Sequence, residues 1–293
     1  MKTRTSALYL ALAAVLVLSA MSCVSPSSLV TGAVVTAVNV GEAAAHAQEE
    51  FTPEQEYYLG RAVGAQVLEA YRPLRDPEAN RYVNVLGQTL ALYSGKPQTF
   101  GGYHFLILDS NDINAFAAPG GLIFVTTGLI RCCESEEALA AVLAHEIGHV
   151  EMEHGLEAIH SDRSNEVFQV LAGESIRNFG PGELNLLTDL FGESISDITS
   201  TMMNSGYSRE FEREADKAAV RILRRSGYDP NGLKAMLDVM AAQLTPGGSD
   251  FAATHPSPQE RIAELEAGGV AFAALEPLPG RQERFQNFLA LLP

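Results

Sequence analysis

The apolar positions at the start of the chain run unbroken from Ala7 to Leu18, behind Lys2 and Arg4. A basic end followed by so short an apolar stretch is the pattern of a secretory signal rather than of a spanning helix, which needs about 18 or more such residues. Residues 24–50 carry neither helical periodicity nor turn chemistry and read as a tether. The pattern changes at Thr52. Pro53 at the first helical position and Gln55 three after the cap predict a helix start, and Asp76-Pro77 repeats the device. Tyr103 to Leu108 and Ile113 to Ala118 read as strands. Pro119-Gly120-Gly121 then turns the chain so that Leu122 to Val125 runs back. Beyond Val125 the helical period dominates, apart from a polar stretch from Ser161 to Ser205 that the pattern does not place. The expected fold is α+β and mostly helical.

Composition narrows the function. The chain has 293 residues, 46% of them hydrophobic, and a net charge of −16, which repels phosphate backbones, so nucleic acid is not an expected partner. Three cysteines cannot make a disulfide framework, and the adjacent Cys132 and Cys133 read as inert buried thiols rather than a redox switch. Leu18-Ser19-Ala20-Met21-Ser22-Cys23 resembles a bacterial lipobox, with Cys23 lipidated after loss of residues 1–22. A rival cleavage site stands at Ala45-His46-Ala47. The lipidated form implies a periplasmic, outer-membrane lipoprotein that meets the membrane by its anchor alone.

The chemistry gathers at His145-Glu146-Ile147-Gly148-His149. Histidines at i and i+4 lie one turn apart on one helix face, the separation two zinc ligands need, and Glu146 then projects beside the ion. From there a carboxylate can take a proton from water acidified by the metal and hand it to a leaving amine. Composition alone yields about 0.015 such matches in a chain of this length, so chance is a poor account. Leu139, Val142, Leu143, Ile147 and Val150 make the helix apolar on most sides, and buried histidines need partners.

A catalytic zinc needs a third protein ligand and an open fourth position. His154 falls five after His149, one short of the metzincin third histidine. Asn165-Glu166 lacks the Ser-Asp pair that follows the downstream Glu in thermolysin-like enzymes. The stretch from Ser208 offers more. Phe211, Ala215, Ala218, Ala219 and Ile222 form an apolar stripe flanked by Glu212 and Asp216. Two carboxylates at i and i+4 repel on a solvated helix, whereas beside a cation one can ligate and the other can orient an imidazole.

Four blocks in order resemble the CaaX-prenyl-protease and HtpX family of zinc metalloendopeptidases, especially its soluble periplasmic members. They are Asn114 to Gly121, His145 to His149, Ser208-Arg209 leading to Glu212 and Ala215-Asp216, and His255-Pro256 followed by Arg261-Ile262. The resemblance implies a zincin-like domain over residues 51–267, its small sheet against the HExxH helix, with 268–293 as a short C-terminal extension. It implies one zinc held by His145, His149 and Glu212, Glu146 as base and acid, and Asp216 behind a ligating histidine. His255 either stabilises the oxyanion or closes the open zinc position, and Arg261 sits near the substrate. The strand of Asn114, Ala115, Phe116 and Ala117 is expected to offer an exposed edge to extended polypeptide. Multi-spanning relatives and a repeat-bearing one depart from this chain, which lowers the expectation of a prenylated substrate or a large partner-binding array. The implied function is quality control: hydrolysis of unfolded or misassembled envelope proteins. The rivals are a proteolytically latent chaperone or assembly factor with its zinc closed by His255, and a purely structural zinc clamp.

Overall fold

The computed structural model describes residues 51–158, 192–193, 195–243, 255, 257–273 and 278–293. Cys23, Glu166 and the tether lie outside them. Residues from Glu50 to Pro293 form one compact unit.

Helix α1 (Pro53–Ala70) starts where the pattern predicts, with Thr52 and Gln55 closing a reciprocal capping box, and α2 (Pro77–Ala91) starts on the carboxylate of Asp76. Strands β1 (His104–Leu108), β2 (Ala115–Ala118) and β3 (Leu122–Thr126) follow. Gly120, at φ 74°, makes the turn between β2 and β3 and lies so close to α1 that a Cβ there would meet the Cα of Tyr57 at 2.9 Å. The sheet order is β1-β3-β2, with β1 parallel and β2 antiparallel to β3.

Side chains alternate across this sheet. Phe105, Ile107, Ala115, Ala117, Ile123 and Val125 join the larger core cluster, whereas Leu108, Phe116, Ala118 and Phe124 join a second one with Leu59, Val63 and Val67 of α1. Helix α3 (Thr127–Cys132) leads to α4 (Glu136–Glu151), capped by Ser135, which carries the two-histidine motif through the centre of the larger cluster. From Glu136 to Val150 every residue of α4 is buried. The short α5 (His154–Glu157) follows a left-handed Glu153 at φ 58°. Residues 195–200 are helical and end in a π-helical turn over Thr201–Ser205. Helix α6 (Arg209–Ser226), capped by Ser208 and stopped by the left-handed Gly227, lies along α4. Helices α7 (Asn231–Gln243), α8 (Pro258–Ala267) and α9 (Pro279–Leu289) complete the described chain.

The mostly helical, small-sheet architecture agrees with the expected class. The stretch after Ala267, read from sequence as an extension, carries α9, whose Phe285 and Phe288 are buried in the same cluster as α4. Its docking is polar as well. Glu136, in the first turn of α4 and 1% exposed, accepts from the hydroxyls of Tyr82 (2.6 Å) and Tyr228 (2.7 Å) and from Nε of Arg284 (2.7 Å).

The outer rim of β1 is closed by side chains. Asn80, Asn84 and Gln88 recur every four residues on α2, a rise of about 6 Å, close to the two-residue step of a strand. Ile107 N–H donates to Asn80 Oδ1 (3.0 Å) and Phe105 N–H to Asn84 Oδ1 (3.0 Å), while Asn84 Nδ2 reaches Phe105 O and Gln88 Nε2 reaches Tyr103 O. Leu74 N–H takes Ile107 O at 2.8 Å.

Candidate metal centre

Gly148 lets the site assemble. A Cβ at this position of α4 would lie 2.9 Å from Ala215 O and 3.0 Å from Ala215 Cα, so only glycine allows α6 this close. The approach brings Glu212, one turn before Asp216, opposite the histidine pair. His145 Nε2 and His149 Nε2 lie 3.1 Å apart, and each is 3.5 Å from a Glu212 carboxylate oxygen. His255 Nδ1 is 2.7 Å from Glu212 Oε1. One ligand atom from each of His145, His149, Glu212 and His255 falls within 4.8 Å of the others, and all four residues are buried.

This donor set fits zinc. Three imidazole nitrogens and a carboxylate oxygen are the atoms zinc takes, and they face one another rather than separate acceptors. Glu212 Oε2 is buried without a hydrogen-bond partner, with His145 Nε2 at 3.5 Å and Arg261 Nη1 at 3.9 Å, and a bound cation would complete its ligation. The carboxyl of Glu212 is held well below its usual range: burial pushes it up, but His255, His145 and His149 outweigh burial.

Behind the metal-facing atoms stands an outer layer. Asp216 Oδ1 is 3.0 Å from His145 Nδ1, and Arg261 grips both carboxylate oxygens of Asp216, with Nε at 3.0 Å from Oδ2. The Asp216 carboxyl is accordingly depressed, burial opposing and the Arg261 charge prevailing. Burial and Arg261 pull the His145 pKa down, yet hydrogen bonds that the ring donates to Asp216 and Glu212 leave it raised to about 9. The pKa of His149 is lowered to about 3, chiefly by burial, with Glu212 opposing. That of Glu146 is raised to about 7 by burial; its Oε1 is buried with no hydrogen-bond partner. Beside Glu146 a narrow slot of about 10 Å³ is walled by Leu233, Met236, Leu237 and Met240 of α7.

The structure thus brings together His145, Glu146, His149, Glu212, Asp216, His255 and Arg261. Arg261, expected near the substrate, has its guanidinium engaged with Asp216 behind His145. The edge strand needs correction. β2 is at the rim of the sheet, but all four of its residues are buried, and Phe116 shares a cluster with Ile195, Ile198 and Met202. Those apolar side chains from the stretch the pattern did not place hide Phe116 from water, so the edge is covered rather than exposed. Asn114, also buried, uses its Oδ1 to accept from Ala115 N–H at 2.9 Å. Cys132 and Cys133 are buried thiols, both pushed up by burial.

Tyr207 and Glu214 escaped the sequence reading, and His154, set aside there as a third ligand, stands behind His149 instead. Tyr207 stacks on His149, with ring centroids 4.5 Å apart, and buries a hydroxyl that has no partner. His154 Nδ1 lies 2.9 Å from His149 Nδ1, and its Nε2 faces Glu214 Oε2 at 3.1 Å. A histidine five after the motif was the available signal for His154. It does not ligate, since α5 starts a new axis after the left-handed Glu153 and turns the ring toward the outer nitrogen of His149.

Comparison with known proteins agrees with this geometry. The beta-barrel assembly-enhancing protease of Escherichia coli (strain K12) is 31% identical over 216 residues, covering 71% of this chain and 42% of that protein. Mitochondrial metalloendopeptidase OMA1 of Schizosaccharomyces pombe is 30% identical over 209 residues, 69% of this chain and 55% of that protein. Metalloprotease LoiP of Escherichia coli (strain K12) is 29% identical over 185 residues, 62% of this chain and 66% of that protein. The chain spans less than half the length of the beta-barrel assembly-enhancing proteases it matches. The pattern of Peptidase family M48 matches residues 77–268, a span that contains every residue of the buried cluster and of the outer layer behind it, and the chain belongs to that family.

Proposed function

We propose that this chain is a zinc-dependent endopeptidase that cleaves misfolded or misassembled proteins of the bacterial envelope, tethered in the periplasm to the outer membrane through a lipidated Cys23. The observation that carries the reading is the buried cluster of His145, His149, Glu212 and His255 with the carboxylate of Glu146 beside it. The names of the relatives, among them a protease tied to β-barrel assembly, support the substrate class.

His145, His149 and Glu212 hold one zinc ion. A bound zinc supplies Lewis acidity toward the scissile carbonyl and acidifies water. Glu146, buried beside the cluster, would take the proton from the attacking water and give it to the leaving amine. Asp216, braced by Arg261, fixes the ring of His145.

A second reading has its own support. His255 Nδ1 lies among the other three ligand atoms, and four protein ligands leave zinc no open position. This describes a latent form acting as a chaperone or assembly factor until His255 withdraws. Casein cleavage by the zinc-loaded full chain tests both. Activity abolished in Glu146→Gln supports the hydrolase, and increased cleavage by His255→Ala supports latency. A Glu146→Gln protein that cleaves casein as wild type refutes the assignment of the base.

A further inference from the structure

We propose that His154 and Glu214 are positioning residues that fix the ring orientation and tautomer of His149 through an imidazole relay. The inference rests on the reading of His149 as a metal ligand. His149 turns Nε2 toward Glu212 and His145, leaving Nδ1 directed at His154 Nδ1, 2.9 Å away. Two imidazole nitrogens facing each other at that distance need one donor and one acceptor. An imidazole that gives its Nε2 lone pair to a metal keeps its proton on Nδ1, so His149 donates and His154 Nδ1 accepts. The proton of His154 is then on Nε2, which stands 3.1 Å from Glu214 Oε2 and donates to it. A single arrangement satisfies every atom of the chain: metal, His149, His154, carboxylate.

Packing holds both rings in place, their planes 69° apart. His154 is 1% exposed and stacks against Phe211, with centroids 4.3 Å apart and planes 8° from parallel; Tyr207 covers the face of His149. The two ligating histidines are thereby secured in different ways. His145 meets a carboxylate directly, at Asp216, whereas His149 reaches one only through a second imidazole. Helix α6 serves all three positions: Glu212 faces the metal, Asp216 faces His145, and Glu214 faces His154. A carboxylate reached through an imidazole raises the basicity of His149 less than direct contact does for His145, and Glu214, with its side chain 45% exposed, is open to water.

The test compares zinc affinity, by chelator competition, and the side-chain nitrogen NMR of His149 in the zinc-loaded full chain. His154→Leu removes the acceptor; His154→Asn keeps one, since its Oδ1 stands near the place of Nδ1. Losing such a partner costs about 10- to 100-fold in metal affinity. The expected result is a loss of that size in His154→Leu with the slowly exchanging Nδ1–H signal of His149 gone, and recovery of both in His154→Asn. If His154→Leu does not fold, Glu214→Ala carries the test at an exposed side chain, with an affinity loss of about threefold or more expected. Unchanged affinity in the folded variants overturns the relay, and so does a loss that His154→Asn fails to restore, which is the mark of packing alone. A wild-type chain that binds no zinc overturns the metal reading and the relay with it; zinc bound equally by all forms overturns the relay only.

Discussion

Replacing Phe285 by alanine tests whether α9 belongs to the same cooperative unit as the metal-binding helix. The Phe285 ring is wholly buried and meets Phe288 at a centroid separation of 6.1 Å, and Phe288 stacks on Tyr82 at 4.1 Å with planes 11° apart. Tyr82 in turn donates to Glu136 at the start of α4. Truncating such a ring costs about 3–5 kcal/mol, the lost transfer energy plus the cavity left behind. Against a total stability of about 5–15 kcal/mol this is a large share. At about 2–4 °C per kcal/mol for a domain of this size, the expected fall in Tm is about 6–20 °C. Leu278→Ser, at a side chain 56% exposed just before the helix, is the control and should stay within about 0.5 kcal/mol. Urea unfolding followed by circular dichroism reads both. A change below about 1 kcal/mol in Phe285→Ala refutes the argument, because α9 would then undock without loss to the core.

Gly148→Ala separates packing from propensity: helix propensity alone favours alanine by about 1 kcal/mol, whereas a Cβ 2.9 Å from Ala215 O must push α6 away. We expect a net loss of about 1–3 kcal/mol together with weaker zinc binding; a stabilised variant with intact affinity contradicts the close approach. The pKa of His145, raised from its ordinary 6.5 to about 9, predicts a pH effect of definite sign. Its proton stabilises the metal-free chain fully below about pH 6.5, and that contribution is lost as pH rises through about 9. Zinc must displace this proton, so its affinity should rise about tenfold per pH unit between pH 6 and 8, and the Tm gap between zinc-loaded and metal-free protein should widen. Calorimetry with and without zinc across that range checks it, and a constant gap contradicts it.

Much of the site is readable along the chain because it is built from local repeats. The spacing of His145 and His149, the pairing of Glu212 with Asp216, and the capped starts at Thr52 and Asp76 each depend on neighbours within one helical turn. What escaped depends on distant partners. β1 pairs with β3, not with its successor β2, and nothing in either strand's alternation encodes that choice. Phe285 and Phe288 look like scattered aromatics until Tyr82 and Glu136, some 150 and more positions earlier, are brought against their helix. The role of Arg261 is likewise set by Asp216, on another helix. The covering of β2 comes from Ile195, Ile198 and Met202, in a stretch whose pattern gave no sign of its target.

The amides of Asn80, Asn84 and Gln88 bear on how this molecule behaves among other chains. An open strand rim recruits any extended segment by backbone pairing alone. By occupying Tyr103, Phe105 and Ile107, α2 closes the β1 rim of the sheet to backbone pairing with another polypeptide. On that rim the sheet cannot seed a growing stack of strands.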